Sequence, residues 1–422
     1  MNNLPGATIL IRGAGFENKG AEAMACTVKA ELGSRLPDAS FLVQVDSREV
    51  DAALLAGFRP AFLPPIPGRR VHKAVRIAGA VLAEPRLAPD VLRKPWSILR
   101  LENDMHDITA VVDVSGFAYG DAVGDGQARE TWMYLKHCTQ RRLPYVLLPQ
   151  AWGPFTAPAL ARVCTRICKT SSAFYARDDA SKSHLGRLLG VDDDAISTAP
   201  DVAFRFQGAD AAAGERLLTS LSMPAGELPI VGIVPNMRVY ARMPGTGQDS
   251  EYVKLLVAAC KTIRAAGAAV ILMPHETALG RSSPTDDAPL CAMVKLALHD
   301  DNLVGMLSGT HTAACVKSVI ANLDLLIGSR FHSIVAALSS LVPTVALGWT
   351  HKYTELMRQV GLGAYTVHCT EVAAPSFLAM VRDAYSNRAA TREILRGRIP
   401  SLLHEVDATF DRIAAIVKSG TG

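Results

Sequence analysis

Nowhere does the sequence approach the roughly 20 uninterrupted apolar residues that a membrane-spanning helix needs. Its start offers only the short apolar run at 7–11, without a basic leader, so an export signal is not expected either. The eight cysteines are scattered, with no Cys-x-x-Cys pair and no His/Cys zinc spacing. Only Cys164 and Cys168 lie close together, on a helical pattern. They read as reduced, buried thiols of a cytoplasmic protein, with no metal site. Aromatic residues make up 6% of the chain, and a net charge of +4 over 422 residues is too small and too dispersed to point to nucleic acid. A small anionic substrate suits that mild basicity at least as well.

What the chain does have is length and apolar content, 49% of it hydrophobic. That exceeds what one core organises and implies two domains. Short apolar runs bounded by Gly, Pro or Asp alternate with helical segments, the pattern of parallel sheets covered by helices. They fall at 7–11, 41–45, 108–114, 145–149 and 173–177, and again at 230–235, 269–274, 325–328 and 344–348. Residues 206–229 lack a strand pattern and carry Gly and Pro, so the boundary is expected there, between domains at 1–205 and 230–422 with helices at the C-terminus. The expected fold is therefore α/β, two doubly wound parallel sheets facing a cleft. Ligands of such sheets sit at the carboxyl ends of the strands.

One stretch breaks the rhythm. Residues 59–100 hold nine Lys/Arg against two acids, Glu84 and Asp90. Within it, 71–83 has the pattern of an amphipathic helix flanked by basic residues, so peripheral contact with an anionic membrane is one expectation and a solvated surface insertion the other.

The residues after each run carry the chemistry. After the first come Gly13, Gly15, Asn18 and Gly20, a turn into a helix starting near Lys19 or Gly20, whose amides favour an anion. The third ends in Asp113 and Ser115, followed by Tyr119 and Asp121; either acid could bind a sugar hydroxyl or act as base. Gln150 and Trp152 close the fourth, and Arg177 the fifth, with Asp178 or Asp179 expected to cap the next helix. In the second half Asn236 and Arg238 follow one run, and His275 and Glu276 another. The strongest constellation is Ser329, Arg330 and His332 at the start of an apolar helix, with Trp349, His351 and Lys352 after the next strand. Arg and His at a helix start, which repels cations, make sense if an anion fills the spot.

Taken together and in order, Asn18 to Ala23, Asp113 with Gly116, Gln150 to Pro154, Arg177 with Asp178, Pro200 with Asp201, and Ser329-Arg330-x-His332 followed by Val342, Pro343 and Lys352 resemble the polysaccharide pyruvyl transferase family. Phe331 stands where that family more often has Leu. The resemblance implies a two-lobed glycosyltransferase-like (GT-B) architecture, with the acceptor on the first lobe and the donor on the second. It also implies phosphoenolpyruvate as donor substrate, no metal or organic cofactor, and a glycan or lipid-linked sugar of the cell envelope as acceptor. On this reading Arg177, Arg330 and Lys352 hold the donor, with Asn18, Gly20, Ser329, Gln150 and Arg238 contributing to binding. His332 is the general acid, and Asp113 or Asp121 the base. A nucleotide-sugar glycosyltransferase or epimerase is the nearest competing expectation, and a non-catalytic carbohydrate-binding or membrane scaffold the next.

Overall fold

A computed structural model describes residues 6–61, 107–221, 228–280, 282–298 and 301–420. Apart from Arg59–Ala61, the basic stretch and its expected amphipathic helix lie outside the described residues. Among the described residues no helix is long and apolar enough to cross a membrane.

The first lobe is a six-stranded parallel sheet of β1 (Thr8–Arg12), β2 (Ser40–Gln44), β3 (Arg59–Ala61), β4 (Ala110–Asp113), β5 (Tyr145–Gln150) and β6 (Ala173–Ala176), in the order β3-β2-β1-β4-β5-β6. The second holds β7 (Ile230–Val234), β8 (Ala269–Leu272), β9 (Val304–Met306), β10 (Leu325–Gly328), β11 (Thr344–Gly348) and β12 (Thr366–His368), in the order β12-β11-β10-β7-β8-β9. Each order reverses direction beside the lobe's first strand, between β1 and β4 and between β7 and β10. Helices diverge there and leave a crevice at the strands' carboxyl ends. The central strands are apolar along their whole length because helices cover both faces; β4, β8, β10 and β11 are buried throughout.

The lobes are packed together. The helix Lys19–Arg35 buries Val28 and Leu32 in a core that continues through Val316, Ile334 and Phe331 of the second lobe to Val406 and Phe410 of the C-terminal helix Arg388–Gly420. That last helix returns to the first lobe, where Arg35 donates to Asp411 (2.7 Å) and Arg205 to Asp407. Between the lobes, within 206–229, Ala211–Ser220 is a helix packed on Ala313–Ala321.

A second seam joins the loops. The backbone amide of Lys19 donates to the His275 carbonyl (3.0 Å), that of Thr277 to Glu17 (3.0 Å), and that of Ala313 to the Glu22 carboxylate (2.8 Å). This seam places the amino end of the helix Lys19–Arg35 against the carboxyl edge of the second sheet.

Candidate active site

Arg177 follows β6, and its Nη1 donates to Asp201 Oδ2 at 2.6 Å. Both are buried, and the other Asp201 oxygen caps the 3-10 turn Val202–Arg205 by accepting from the Ala203 amide. From the second lobe, His332 brings Nε2 to 3.5 Å from Asp201 Oδ2, close enough to pair once protonated but outside hydrogen-bond geometry. Burial pushes the Asp201 carboxyl up, yet His332 and Arg177 overcome it and hold this acid well below the usual range.

The placement of His332 has a local cause. β10 ends at Gly328, and the Ser329 carbonyl accepts from Asn236 Nδ2 (2.6 Å) and from the Tyr353 hydroxyl (3.0 Å). The loops after β7, β10 and β11 are thereby fastened to one another, and the helix Phe331–Ser339 starts from a fixed point. Gly20 completes the fit. A Cβ at that position would lie 2.1 Å from His332 Nδ1, so only glycine lets the imidazole rest on the start of the helix Lys19–Arg35.

Lys352 enters from the same edge, in the first turn of the helix His351–Gln359. Its ammonium lies 4.5 Å from the ring centre of Phe117, a first-lobe residue, and 5.2, 5.3 and 5.6 Å from those of Phe331, Trp349 and Tyr353. It makes no ion pair with any described residue. Burial, and then the charges of Arg177 and Arg238, push its pKa well below the ordinary lysine value. Aromatic faces favour a cation, but a buried ammonium beside a guanidinium favours an anion more. The Arg177 guanidinium stacks 4.2 Å over Phe331.

Buried polar atoms without a partner gather at this point: Arg177 Nη2, His332 Nε2, Thr350 Oγ1 and His351 Nε2, with both amide atoms of Gln150 at the neighbouring strand end. Each such atom costs about 1–3 kcal/mol, so a concentration of them marks a place where a ligand supplies the partners. Beside it lies an interlobe cavity of ≈ 620 Å³ lined by Arg177, Asp201, Phe331, Lys352, Arg358 and Glu405 among others, within the range of small-molecule sites.

Of the expected site residues, Arg177, His332 and Lys352 meet here, with Gly20 beneath. Arg330 does not present its charge to the cleft. Its Nε and Nη2 bind Asp287 bidentately (2.8 and 2.7 Å), Nη1 pairs with Glu276, and Nη2 also donates to the Thr285 carbonyl (2.8 Å). Glu276 in turn accepts from Asn18 Nδ2 (3.1 Å), while Asn18 Oδ1 caps the Gly20 amide (2.9 Å). Glu276 therefore ties Arg330 to Asn18 and the seam between lobes, and the charge expected to grip the donor is compensated by carboxylates of its own lobe. Ser329 acts through its carbonyl.

The two expected bases are also occupied. Asp113 is fully buried and accepts from Arg12 (3.2 Å), Tyr145 (2.6 Å) and both donors of Ser115. Asp121 holds the turn before the helix Pro158–Thr170, accepting from the amides of Thr156 and Ala157. Arg238 is exposed at the rim, 5.9 Å over Trp349, where Arg242 also stacks at 4.3 Å.

Sequence reasoning gave Asp201 no role and left His351 unassigned. Asp201 had one signal, the Pro200-Asp201 pair within the family pattern. His351 faces His184 of the first lobe across 6.2 Å, and burial first lowers the pKa of both imidazoles.

Solved structures share this architecture. A glycosyltransferase from Rickettsia africae is 11% identical with a TM-score of 0.56 over 98% of both chains. HepE from Anabaena in complex with UDP-glucose is 13% identical with a TM-score of 0.56, over 98% of this chain and 99% of that one. UDP-GlcNAc 2-epimerase from Neisseria meningitidis bound to UDP-GlcNAc is 10% identical with a TM-score of 0.57, over 95% and 99%. At such identities the likeness speaks for the GT-B fold. No curated protein sequence matches the chain. The model of the polysaccharide pyruvyl transferase family matches residues 18–351, from the helix cap at Asn18 through Asp201 and His332 to the residue before Lys352. With the family model covering most of its length, and Gly20, Arg177, Asp201 and His332 of the matched span meeting at one interlobe site, this chain belongs to the polysaccharide pyruvyl transferase family.

Proposed function

We propose that the interlobe site transfers the pyruvyl group of phosphoenolpyruvate to a pair of sugar hydroxyls on a cell-envelope glycan, forming a cyclic ketal and releasing phosphate. The observation that carries this reading is the set of unpartnered buried donors around Lys352, which suits a compact ligand with two anionic groups. Arg177 Nη2 and the Lys352 ammonium hold its carboxylate and phosphate.

The chemistry needs one proton delivered to carbon. His332, protonated and supported by the ionised Asp201 at 3.5 Å, gives its proton to the enol methylene, which becomes a methyl group. The adjacent carbon gains positive character and a sugar oxygen bonds to it, losing its proton. The carbon–oxygen bond to phosphate then breaks with its electron pair, and the second hydroxyl oxygen closes the ring as its proton leaves. His332 is regenerated from those released protons.

Incubation with phosphoenolpyruvate and a panel of envelope glycans should yield phosphate and a pyruvyl ketal detectable by mass spectrometry. His332→Ala should reduce turnover by about 10² to 10⁴. Ketal formation at an undiminished rate in His332→Ala contradicts the assignment of the acid. Glycosyl transfer from a nucleotide sugar without use of phosphoenolpyruvate replaces the reading with the glycosyltransferase one.

A further inference from the structure

One step of the chemistry still lacks a residue. A sugar hydroxyl must lose its proton as its oxygen bonds to carbon, and the acids around the site are engaged elsewhere. Asp113 and Asp121 hold their own loops, Glu276 and Asp287 are bound by Arg330, and Asp201 pairs with Arg177. Asp178 Oδ1 accepts from the Ser181 amide (2.7 Å) as the cap of the helix Asp179–Leu189.

His351 is not engaged in this way. It opens the helix His351–Gln359, one position before Lys352, and its Nε2 is buried with no partner among the described residues. Its ring meets the first lobe, where the imidazole of His184 on the helix Asp179–Leu189 lies 6.2 Å away, centre to centre. Gly153, in the turn after β5, makes room for that contact. It takes φ +80°, and a Cβ there would fall 2.7 Å from the His184 ring. His351 therefore stands where the two lobes face each other at the donor site.

The surroundings of the two site imidazoles differ. His332 has the ionised Asp201 at 3.5 Å, whereas His351 makes no ion pair with any described residue. Burial first, then the charges of Arg177 and Lys352, lower the pKa of His351, and Asp178 opposes them. His184, the group facing it from the first lobe, has its own neighbours in Arg187, Asp121 and Asp178. With its proton on Nδ1, a neutral His351 offers a lone pair at Nε2. One imidazole backed by a carboxylate and another beside cations form a pair suited to giving and taking protons at the same pH.

We propose that His351 is the general base, its Nε2 taking the proton of the attacking sugar hydroxyl and passing it to the departing phosphate. This assignment rests on the pyruvyl-transfer reading. His332 gives one proton to the methylene carbon. As the first sugar oxygen bonds to the adjacent carbon, its proton moves to His351. Phosphate leaves with the electron pair of the carbon–oxygen bond and takes that proton. The proton of the second hydroxyl, released as the ring closes, restores His332. The two hydroxyl protons thus balance one in the new methyl group and one on hydrogen phosphate.

Steady-state kinetics of the full chain at saturating phosphoenolpyruvate tests it, with phosphate release followed on an envelope glycan that the wild type pyruvylates. His351→Gln should lower kcat by about 10² to 10⁴, while melting temperature and calorimetric affinity for phosphoenolpyruvate stay at wild-type values. Wild-type kcat should fall on acidification, as His351 gains a proton and loses its lone pair, and this acid limb should be missing from the variant. The shorter His351→Asn repeats the measurement if His351→Gln does not fold. Undiminished kcat in a folded variant, an acid limb that persists there, or a loss of rate explained by weaker phosphoenolpyruvate binding overturns the proposal. So does a wild-type kcat that does not fall on acidification, whatever the variants do. A wild type that forms no ketal with any glycan of the panel overturns the pyruvyl-transfer reading itself, and the base with it.

Discussion

Lys352 and Arg330 illustrate how two cations from one motif region acquire different duties. Lys352 is buried among four rings without a carboxylate partner, and its pKa is pushed well below the lysine range by burial and by Arg177. Its charge is therefore lost at a lower pH than an ordinary lysine's, and donor affinity should fall with rising pH before the range in which an ordinary lysine titrates is reached. In Lys352→Arg the guanidinium keeps its proton throughout, so that decline should flatten; an identical decline in titrations of the variant contradicts the role. Arg330, by contrast, is neutralised by Asp287 and Glu276. Removing one member of a buried ion pair costs on the order of 3–5 kcal/mol. Arg330→Ala should thus lower the melting temperature markedly while changing donor affinity of the folded fraction little; lost affinity at unchanged stability would restore it as a ligand. The sequence located both cations but could not tell them apart. The carboxylates that claim Arg330 lie 54 and 43 positions upstream and reach it only through the fold.

At the scale of elements, the sequence showed what is central and concealed what is marginal. The nine apolar runs correspond to nine strands, because strands covered on both faces must be apolar throughout. The three strands without a run, β3, β9 and β12, are three residues long and lie at sheet edges, where half the backbone pairing and much of the burial are missing. One helix start was legible through its cap, Asp178, which accepts a hydrogen bond from the first turn; Asn18 caps the helix Lys19–Arg35 in the same way without having been read as a cap. What no cap or periodicity could show is that the start of one helix supports a side chain on another. Gly20→Ala tests that contact. The added methyl would collide with the His332 ring, and displacing a catalytic group by about 1 Å costs on the order of 10² in rate. The expected result is a large loss of kcat with far-UV circular dichroism retained, and wild-type turnover would refute it.

At the scale of the molecule, two sheets of identical strand order are held by a shared core and a loop seam, with their carboxyl edges opposed. The seam consumes Arg330, Asn18 and Glu276. The space beyond it retains Arg177, His332 and Lys352, drawn from both lobes, and the buried donors left without partners collect there. The class of fold could be read from the apolar runs, and Arg177, His332 and Lys352, each named from its place after a strand, are brought together by the structure. The acid at the centre of that cluster, Asp201, could not be read, since it follows no strand run and acquires its meaning from two partners contributed by different lobes. The most direct test is isothermal titration of the full chain with phosphoenolpyruvate and with UDP, in the wild type and in Arg177→Leu. The account predicts saturable binding of phosphoenolpyruvate to the wild type, weakened at least about tenfold in the variant by loss of a charge-assisted contact, and no binding of UDP. Saturable binding of UDP alone, or equal affinity of wild type and variant for phosphoenolpyruvate, would contradict it.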